Sequence, residues 1–271
     1  MTGQYIQIDS GEIFVRMPDR ERFDKDKPTF VFIHGLGESG ACFAEAAKRM
    51  PDVNIIIPDL PGYGHSRAAE NNDHSTEAQA KRVLQLINIL QLDKITLVGH
   101  SWGGDVGTLI CKMGGDLITR YFCVEGDLHL DNVFISQVSS QAYRKLVAQE
   151  FEKWLHSEKF SEFVLGWNIP AAKNYLSSVR LCNPEVFGET ATEIMKMCKT
   201  ATPDGILEWG HIFAELPVQK TYCWGGRSIQ TDSPVIRFLD RNNIVNRCFA
   251  DSTHWIMNDE PEEFFRYIRK P

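Results

Sequence analysis

Along the first half of the chain, apolar residues come in short, mostly continuous runs, each closed by a turn containing glycine or proline. Phe30-Val31-Phe32-Ile33 runs into His34-Gly35, Val53 to Ile57 into Pro58-Asp59, and Ile95-Thr96-Leu97-Val98 into Gly99. Runs of this length without polar alternation predict strands covered on both faces, as in a parallel sheet. Between the last two, Ser75 to Leu92 reads as a helix. Val83, Leu84, Ile87 and Leu90 give it an apolar face, and Thr76 with Gln79 has the spacing of a capping box. Trp102 to Met113 predicts a helix that leaves the third strand directly. Further strands are predicted at Tyr121 to Val124, Lys220 to Trp224 and Ile244 to Phe249, and Pro261 opens a closing helix. Near the start, Tyr5 to Ile8 and Glu12 to Arg16, split by Ser10-Gly11, predict an antiparallel hairpin at one edge.

Strands that alternate with helices imply an α/β fold with a mostly parallel, doubly wound sheet. The interval from Asp127 to Leu216 breaks that rhythm. Gln141 to Ser157, Ala171 to Leu181, Pro184 to Lys199 and Asp204 to Leu216 all read as helices, with no clear strand between them. Because its flanks belong to one sheet, 127–216 is read as a helical insertion into a core formed by 1–126 and 217–271. No repeats or low-complexity tracts interrupt the pattern.

Composition narrows the function classes. A chain of 271 residues, 43% hydrophobic, is ample for a large core. The net charge of −7, with acidic and basic residues interspersed, lacks the basic stripe of a nucleic-acid binder. No apolar run is long enough to span a bilayer, and Met1 to Arg20 does not have the build of a signal peptide. Seven cysteines, Cys42, Cys111, Cys123, Cys182, Cys198, Cys223 and Cys248, form no Cys-x-x-Cys pair. A reduced, cytoplasmic protein without structural zinc is the expectation. No phosphate-cradling loop or metal-binding spacing is present, so no cofactor and no metal are expected.

The chemistry concentrates at Gly99-His100-Ser101-Trp102-Gly103, a Gly-x-Ser-x-Gly segment with an apolar strand before it and a helix after it. A sharp strand-to-helix turn strains the Ser101 backbone and lifts its hydroxyl clear of the sheet. The helix N-terminus then aims the Trp102 N–H at any oxyanion formed nearby. Of the other polar side chains, His254 follows the last strand after a polar loop that can bring its imidazole over the sheet, as a general base requires.

From His34 to Phe265 the chain resembles the α/β-hydrolase superfamily. His34-Gly35-Leu36-Gly37 is similar to that family's oxyanion loop, which makes the Leu36 N–H the second oxyanion donor beside that of Trp102. Asp59-Leu60-Pro61-Gly62-Tyr63-Gly64-His65-Ser66 resembles its structural turn, and Asp251-Ser252-Thr253-His254 its catalytic-histidine loop. In most members an aspartate stands four residues beyond the tryptophan of the strand at Lys220 to Trp224. Here that position is Ser228. Two acids remain. Glu125 follows the strand after Ser101, an arrangement some members share, and a rigid strand end favours it; Asp232 lies a few residues past Ser228.

The resemblance implies a cofactor-free serine hydrolase with Ser101, His254 and Glu125 as its triad, cleaving a small or medium carboxylic ester, thioester or lactone. The helical insertion would act as a cap that chooses the small-molecule substrate. Trp154, Trp167 and Trp209 would either line an aromatic lid or pack the insertion's own core. The alternatives are a non-catalytic ligand-binding protein on the same fold and a lyase or acyltransferase using the same three residues. His34, His65 and His100 sit inside the motifs as structural or pocket-lining residues, and His74, His129, His156 and His211 lie on surfaces or in the insertion.

Overall fold

The computed structural model describes residues 1–18, 23–69, 73–146 and 148–270. Among them, strands β1 (Thr2–Ile8), β2 (Gly11–Met17), β3 (Thr29–Ile33), β4 (Asn54–Pro58), β5 (Ile95–His100), β6 (Ile118–Val124), β7 (Gln219–Gly225) and β8 (Val245–Phe249) form one sheet. Their order is β1-β2-β4-β3-β5-β6-β7-β8. The first two strands form an antiparallel hairpin, β2 joins β4 antiparallel, and every later pairing is parallel. All residues of β3, β4 and β5 are buried, which accounts for their mostly apolar runs.

Chain order positions the site. From β3 the chain steps to β4 on one side, then returns to β5 on the other. The loops leaving β3 and β5 therefore diverge at the sheet's C-terminal edge and open a crevice between them, the place where open α/β sheets bind ligands.

The helices, in chain order, are α1 (Ala46–Arg49), α2 (Thr76–Ile89), α3 (Trp102–Gly114), α4 (Phe134–Lys145), α5 (Ala148–Leu155), α6 (Glu158–Leu165), α7 (Ala172–Val179), α8 (Pro184–Met197), α9 (Glu208–Glu215), α10 (Pro234–Arg241), α11 (Ile256–Asp259) and α12 (Pro261–Arg269). None of the described helices is long and apolar enough to cross a membrane. Between β6 and β7 the described residues carry α4 to α9 and only an isolated bridge between His129 and Ile206.

Several elements depart from the sequence reading. Helix α2 is capped by Ser75, whose hydroxyl accepts from the Ala78 N–H at 3.2 Å, and not by a Thr76–Gln79 box. Tertiary bonds claim those two residues instead: Thr76 donates to Glu193 and Gln79 to the Pro61 carbonyl. The stretch from Gln141 to Ser157 is split between α4 and α5, with Val147 outside the described residues. Ser157 then caps α6 through the Phe160 N–H at 3.1 Å. Helix α9 starts late because Thr202 and Ile206 close a turn first, the Ile206 N–H donating to Thr202 Oγ1 at 3.0 Å. Helix α10 was not anticipated.

Candidate active site

The elbow is built by contact. A Cβ at Gly99 would stand 2.2 Å from the Gly103 carbonyl oxygen, and one at Gly103 would stand 2.4 Å from that of Ile33. Only glycine lets β5, α3 and β3 approach this closely. Between them Ser101 adopts φ 53°, ψ −130°, a conformation that costs about 1–3 kcal/mol in a non-glycine residue. Its N–H donates to the Val124 carbonyl at 2.9 Å, which ties the elbow to the end of β6.

Where β6 ends, Glu125 also takes a positive φ, 51°, and its N–H donates to Cys223 of β7. The side chain is buried, with 2% exposure. Its Oε1 accepts from the Gly225 N–H at 2.6 Å and from Ser228 Oγ at 2.5 Å, while Oε2 lies 3.1 Å from His254 Nδ1. Ser228, at the position where most resembling proteins carry the acid, is thus a donor to Glu125. Asp232 is exposed on the rim of the same cavity and has no bond to His254.

Ser101, Glu125 and His254 all line one cavity of about 750 Å³, along with Leu36. Ser101 Oγ itself forms no hydrogen bond among the described residues. The N–H groups of Leu36 and Trp102 have no acceptor among the described residues either, so both donors are unspent. Trp102 opens α3, whose first turn leaves such groups free.

The loop after β3 is locked by His34. The Leu60 N–H must donate, so Nε2 accepts it at 3.0 Å, and Nδ1 donates to the Gly35 carbonyl at 2.9 Å. The ring is therefore neutral, in keeping with the burial that lowers its pKa. Asp59 holds the neighbouring turn by accepting from Gly40 and His65 and by pairing with Arg16 at 2.5 Å.

A buried network beside His254 was not anticipated. Glu38 accepts from the Gly35 N–H at 2.7 Å and from Trp255 Nε1 at 2.5 Å, and it meets His100 Nδ1 at 2.8 Å. His100 Nε2 faces the His254 carbonyl at 2.9 Å. A carbonyl can only accept, so Nε2 carries a proton. Burial disfavours both charges, yet their mutual attraction prevails: Glu38 is held at about 2 and the His100 pKa is raised. An imidazolium–carboxylate pair therefore grips the backbone of the very residue whose ring meets Glu125. The signal in the sequence was Glu38 itself, a charge between the glycine turn of His34-Gly35-Leu36-Gly37 and an apolar stretch.

A second acidic pair lies behind the elbow. The backbones of Gly104 and Gly126 pack together, and the residues that follow them, Asp105 and Asp127, are both buried. Among the described residues neither Asp105 oxygen makes a full hydrogen bond, the Asp127 N–H being a weak donor toward them. Burial, then the Asp127 charge, pushes Asp105 well above the usual carboxylate range; burial pushes Asp127 to about 7, against the pull of His254. Among the described residues, no group of three or more His, Cys, Asp or Glu is placed to hold a metal ion.

Of the three tryptophans singled out, Trp167 lines the cavity, stacked 5.7 Å from Trp255. Trp154 packs on Phe151 and Phe160 within the insertion, and Trp209 is buried away from the cavity.

Comparison with known proteins follows the same lines. The profile of the family described as "alpha/beta hydrolase fold" matches residues 28–172. An uncharacterized protein of Mycobacterium tuberculosis is 32% identical over 98 residues, which take in 36% of this chain and 28% of that protein. The match thus spans under a third of the length of the first curated relatives. A 2-hydroxy-6-oxononadienedioate/2-hydroxy-6-oxononatrienedioate hydrolase of Pseudomonas putida is 20% identical, covering 98% of this chain and 95% of its own. Among solved structures, an esterase from Exiguobacterium antarcticum superposes with a TM-score of 0.73 at 17% identity, over 99% of this chain and 100% of its own.

Proposed function

Since this chain belongs to the α/β-hydrolase fold family, we propose that it is a serine hydrolase cleaving small or medium carboxylic esters through an acyl-enzyme on Ser101. One observation carries the reading: a buried carboxylate, Glu125, bonded at 3.1 Å to Nδ1 of a histidine on the wall of the cavity that Ser101 faces. Nδ1 bonded to a carboxylate holds its proton, which leaves Nε2 free to accept one.

In this reading Nε2 of His254 takes the Ser101 proton as Oγ attacks the ester carbonyl. The tetrahedral oxyanion receives hydrogen bonds from the Leu36 and Trp102 N–H groups, and His254 returns the proton to the departing alcohol. Water then enters, gives a proton to the same nitrogen as it attacks the acyl carbon, and the acid leaves as His254 returns that proton to Ser101 Oγ. No cofactor takes part in these steps. The Ser101–His254 contact forms when substrate fills the cavity, as hydrogen bonds of this kind often tighten only in the complex. The insertion 127–216 acts as a cap, contributing Trp167, Ile169 and Tyr175 to the cavity wall.

A fluorophosphonate probe tests the assignment, since it reacts only with a serine that has both a base and an oxyanion hole. Wild-type protein should gain one adduct on Ser101, and Ser101→Ala none. An unlabelled wild type that still binds esters would favour a non-catalytic binding protein. Labelling with cleavage of a bond other than an ester would favour the lyase or acyltransferase alternative.

A further inference from the structure

We propose that helix α8 of the insertion positions the oxyanion hole: Glu193, acting through Thr76, holds the indole of Trp102 and with it the Trp102 backbone N–H. The inference deepens the acyl-transfer reading above and rests on it.

The three side chains form one hydrogen-bonded chain whose direction is fixed. An indole N–H only donates, so Trp102 Nε1 gives its proton to Thr76 Oγ1 at 3.0 Å. The Thr76 hydroxyl proton is then free for another acceptor, and Glu193 Oε2 takes it at 2.9 Å. The same carboxylate oxygen accepts the Thr76 N–H at 2.9 Å. That N–H belongs to the first residue of α2, where a helix leaves its amides unpaired and favours a negative charge. Trp102 and Thr76 are both buried, so a partner lost from this chain is not replaced by bulk solvent.

A second contact from α8 reaches the same ring. Thr190 stands three residues before Glu193 and so shares its face of the helix. Its Oγ1 accepts from the Tyr63 hydroxyl at 2.9 Å, and the Tyr63 ring packs against that of Trp102 with centroids 5.5 Å apart. The start of α8 rests on the same turn, where the Asn183 N–H donates to the Gly62 carbonyl at 2.7 Å. The insertion therefore grips Trp102 twice, at its indole nitrogen and through its ring. Just before Trp102, Ser101 holds a backbone conformation that persists only where the surroundings impose it. An oxyanion donor acts over about 2.7–3.1 Å, so slack in Trp102 weakens binding of the transition state more than that of the substrate. A cap that served only to choose the substrate would have no use for these bonds.

The test is Thr76→Val, which keeps the shape of the side chain and deletes the hydroxyl that joins the chain. Rates are measured with p-nitrophenyl esters well below the melting temperature of each variant. For Thr76→Val, kcat should fall at least about tenfold, against the about 10²-fold that a misplacement of about 1 Å can cost. KM should stay within about twofold. A boronic acid that adds to Ser101 and carries the tetrahedral charge should bind more weakly by the same factor as kcat. Thr76→Ser, which restores the hydroxyl, should recover both. Glu193→Ala should also lower kcat, yet add nothing in the Thr76→Val background, as expected of a residue that acts through Thr76. Because Glu193 is partly exposed, its variant carries the test should Thr76→Val fail to fold. If wild-type protein forms no Ser101 adduct with a fluorophosphonate, the acyl-transfer reading falls and this proposal with it. Should wild type react while both variants keep their kcat and boronate affinity and lose only melting temperature, the chain is a structural anchor and only this proposal is overturned. Additive losses in the double variant refute it as well.

Discussion

Replacing Glu125 with glutamine tests the site most sharply, because the outcome can be worked from individual hydrogen bonds. The Gly225 N–H can only donate, and it does so to Oε1 at 2.6 Å. In the variant the amide oxygen must keep that place, which leaves the amide nitrogen facing His254 Nδ1 across the 3.1 Å contact. An amide NH2 also only donates, so Nδ1 must give up its proton and the ring carries it on Nε2 instead. That is the nitrogen needed to accept the Ser101 proton. The variant thus holds the base in the wrong tautomer and withdraws the charge that would stabilise the imidazolium. The equivalent Asp→Asn change in a serine protease costs about 10⁴-fold in kcat, or about 5.5 kcal/mol at about 1.4 kcal/mol per tenfold.

The assay is steady-state hydrolysis of p-nitrophenyl esters, with the rate of fluorophosphonate labelling as a second readout and circular dichroism as a check on folding. The loss should fall on kcat, since Glu125 touches the base and not the substrate. Asp232→Asn should leave the rate within a few-fold. Ser228→Asp in a Glu125→Ala background should recover part of the activity, because Ser228 Oγ lies 2.5 Å from Glu125 Oε1 and a carboxylate there can enter the space that the truncated side chain vacates. A Glu125→Gln enzyme retaining more than a tenth of wild-type kcat would refute the reasoning, and a large loss in Asp232→Asn would move the role to Asp232.

Three further outcomes are expected. Asp127 is raised from 3.8 to about 7, so the folded state keeps a proton that the unfolded chain releases, and this pair's contribution makes stability fall as pH rises between about 4 and 7. Asp105→Asn removes the carboxyl that is pushed furthest above its ordinary range, so its melting temperature should drop less than that of wild type from pH 5 to 8; identical slopes would show that Asp105 does not hold its proton in the folded state. His100→Ala strands Glu38 as a buried unpaired charge and should cost about 3–5 kcal/mol in urea unfolding, with a loss below about 1 kcal/mol counting against the buried ion pair. Trp167→Ala should shift ester preference toward longer acyl chains, whereas Trp154→Ala should lower stability and leave the ester profile unchanged; the opposite pattern would place the cavity wall elsewhere.

What the sequence determined is what local chemistry forces. Unbroken apolar runs such as Phe30 to Ile33 have no stable home except a strand covered on both faces, and the observed β3 is buried throughout. Gly99 and Gly103 announce a turn too tight for a side chain, and the contacts at that turn are with backbone atoms of Gly103 and Ile33. Helix α10 is also legible: Ser233-Pro234 is a start signal, and Val235, Ile236, Phe238 and Leu239 form one buried face. The insertion was harder, because short helices owe their stability to packing more than to propensity. A sequence therefore cannot say that Lys145 ends one helix and Ala148 begins another.

Only the tertiary structure decided which carboxylate meets His254. Glu125 and Asp232 are equally acidic on paper, and both precede the histidine. The parallel pairing of β6 with β7 sets Glu125 beside Gly225 and Ser228, which fix its carboxylate, while Asp232 stays in an exposed loop. The Glu38–His100 pair and the chain from Glu193 through Thr76 to Trp102 belong to the same class of fact. Each depends on groups far apart in the chain that are brought within hydrogen-bond range, where burial multiplies the cost of a missing partner and the value of a present one. That energy is absent from the extended chain.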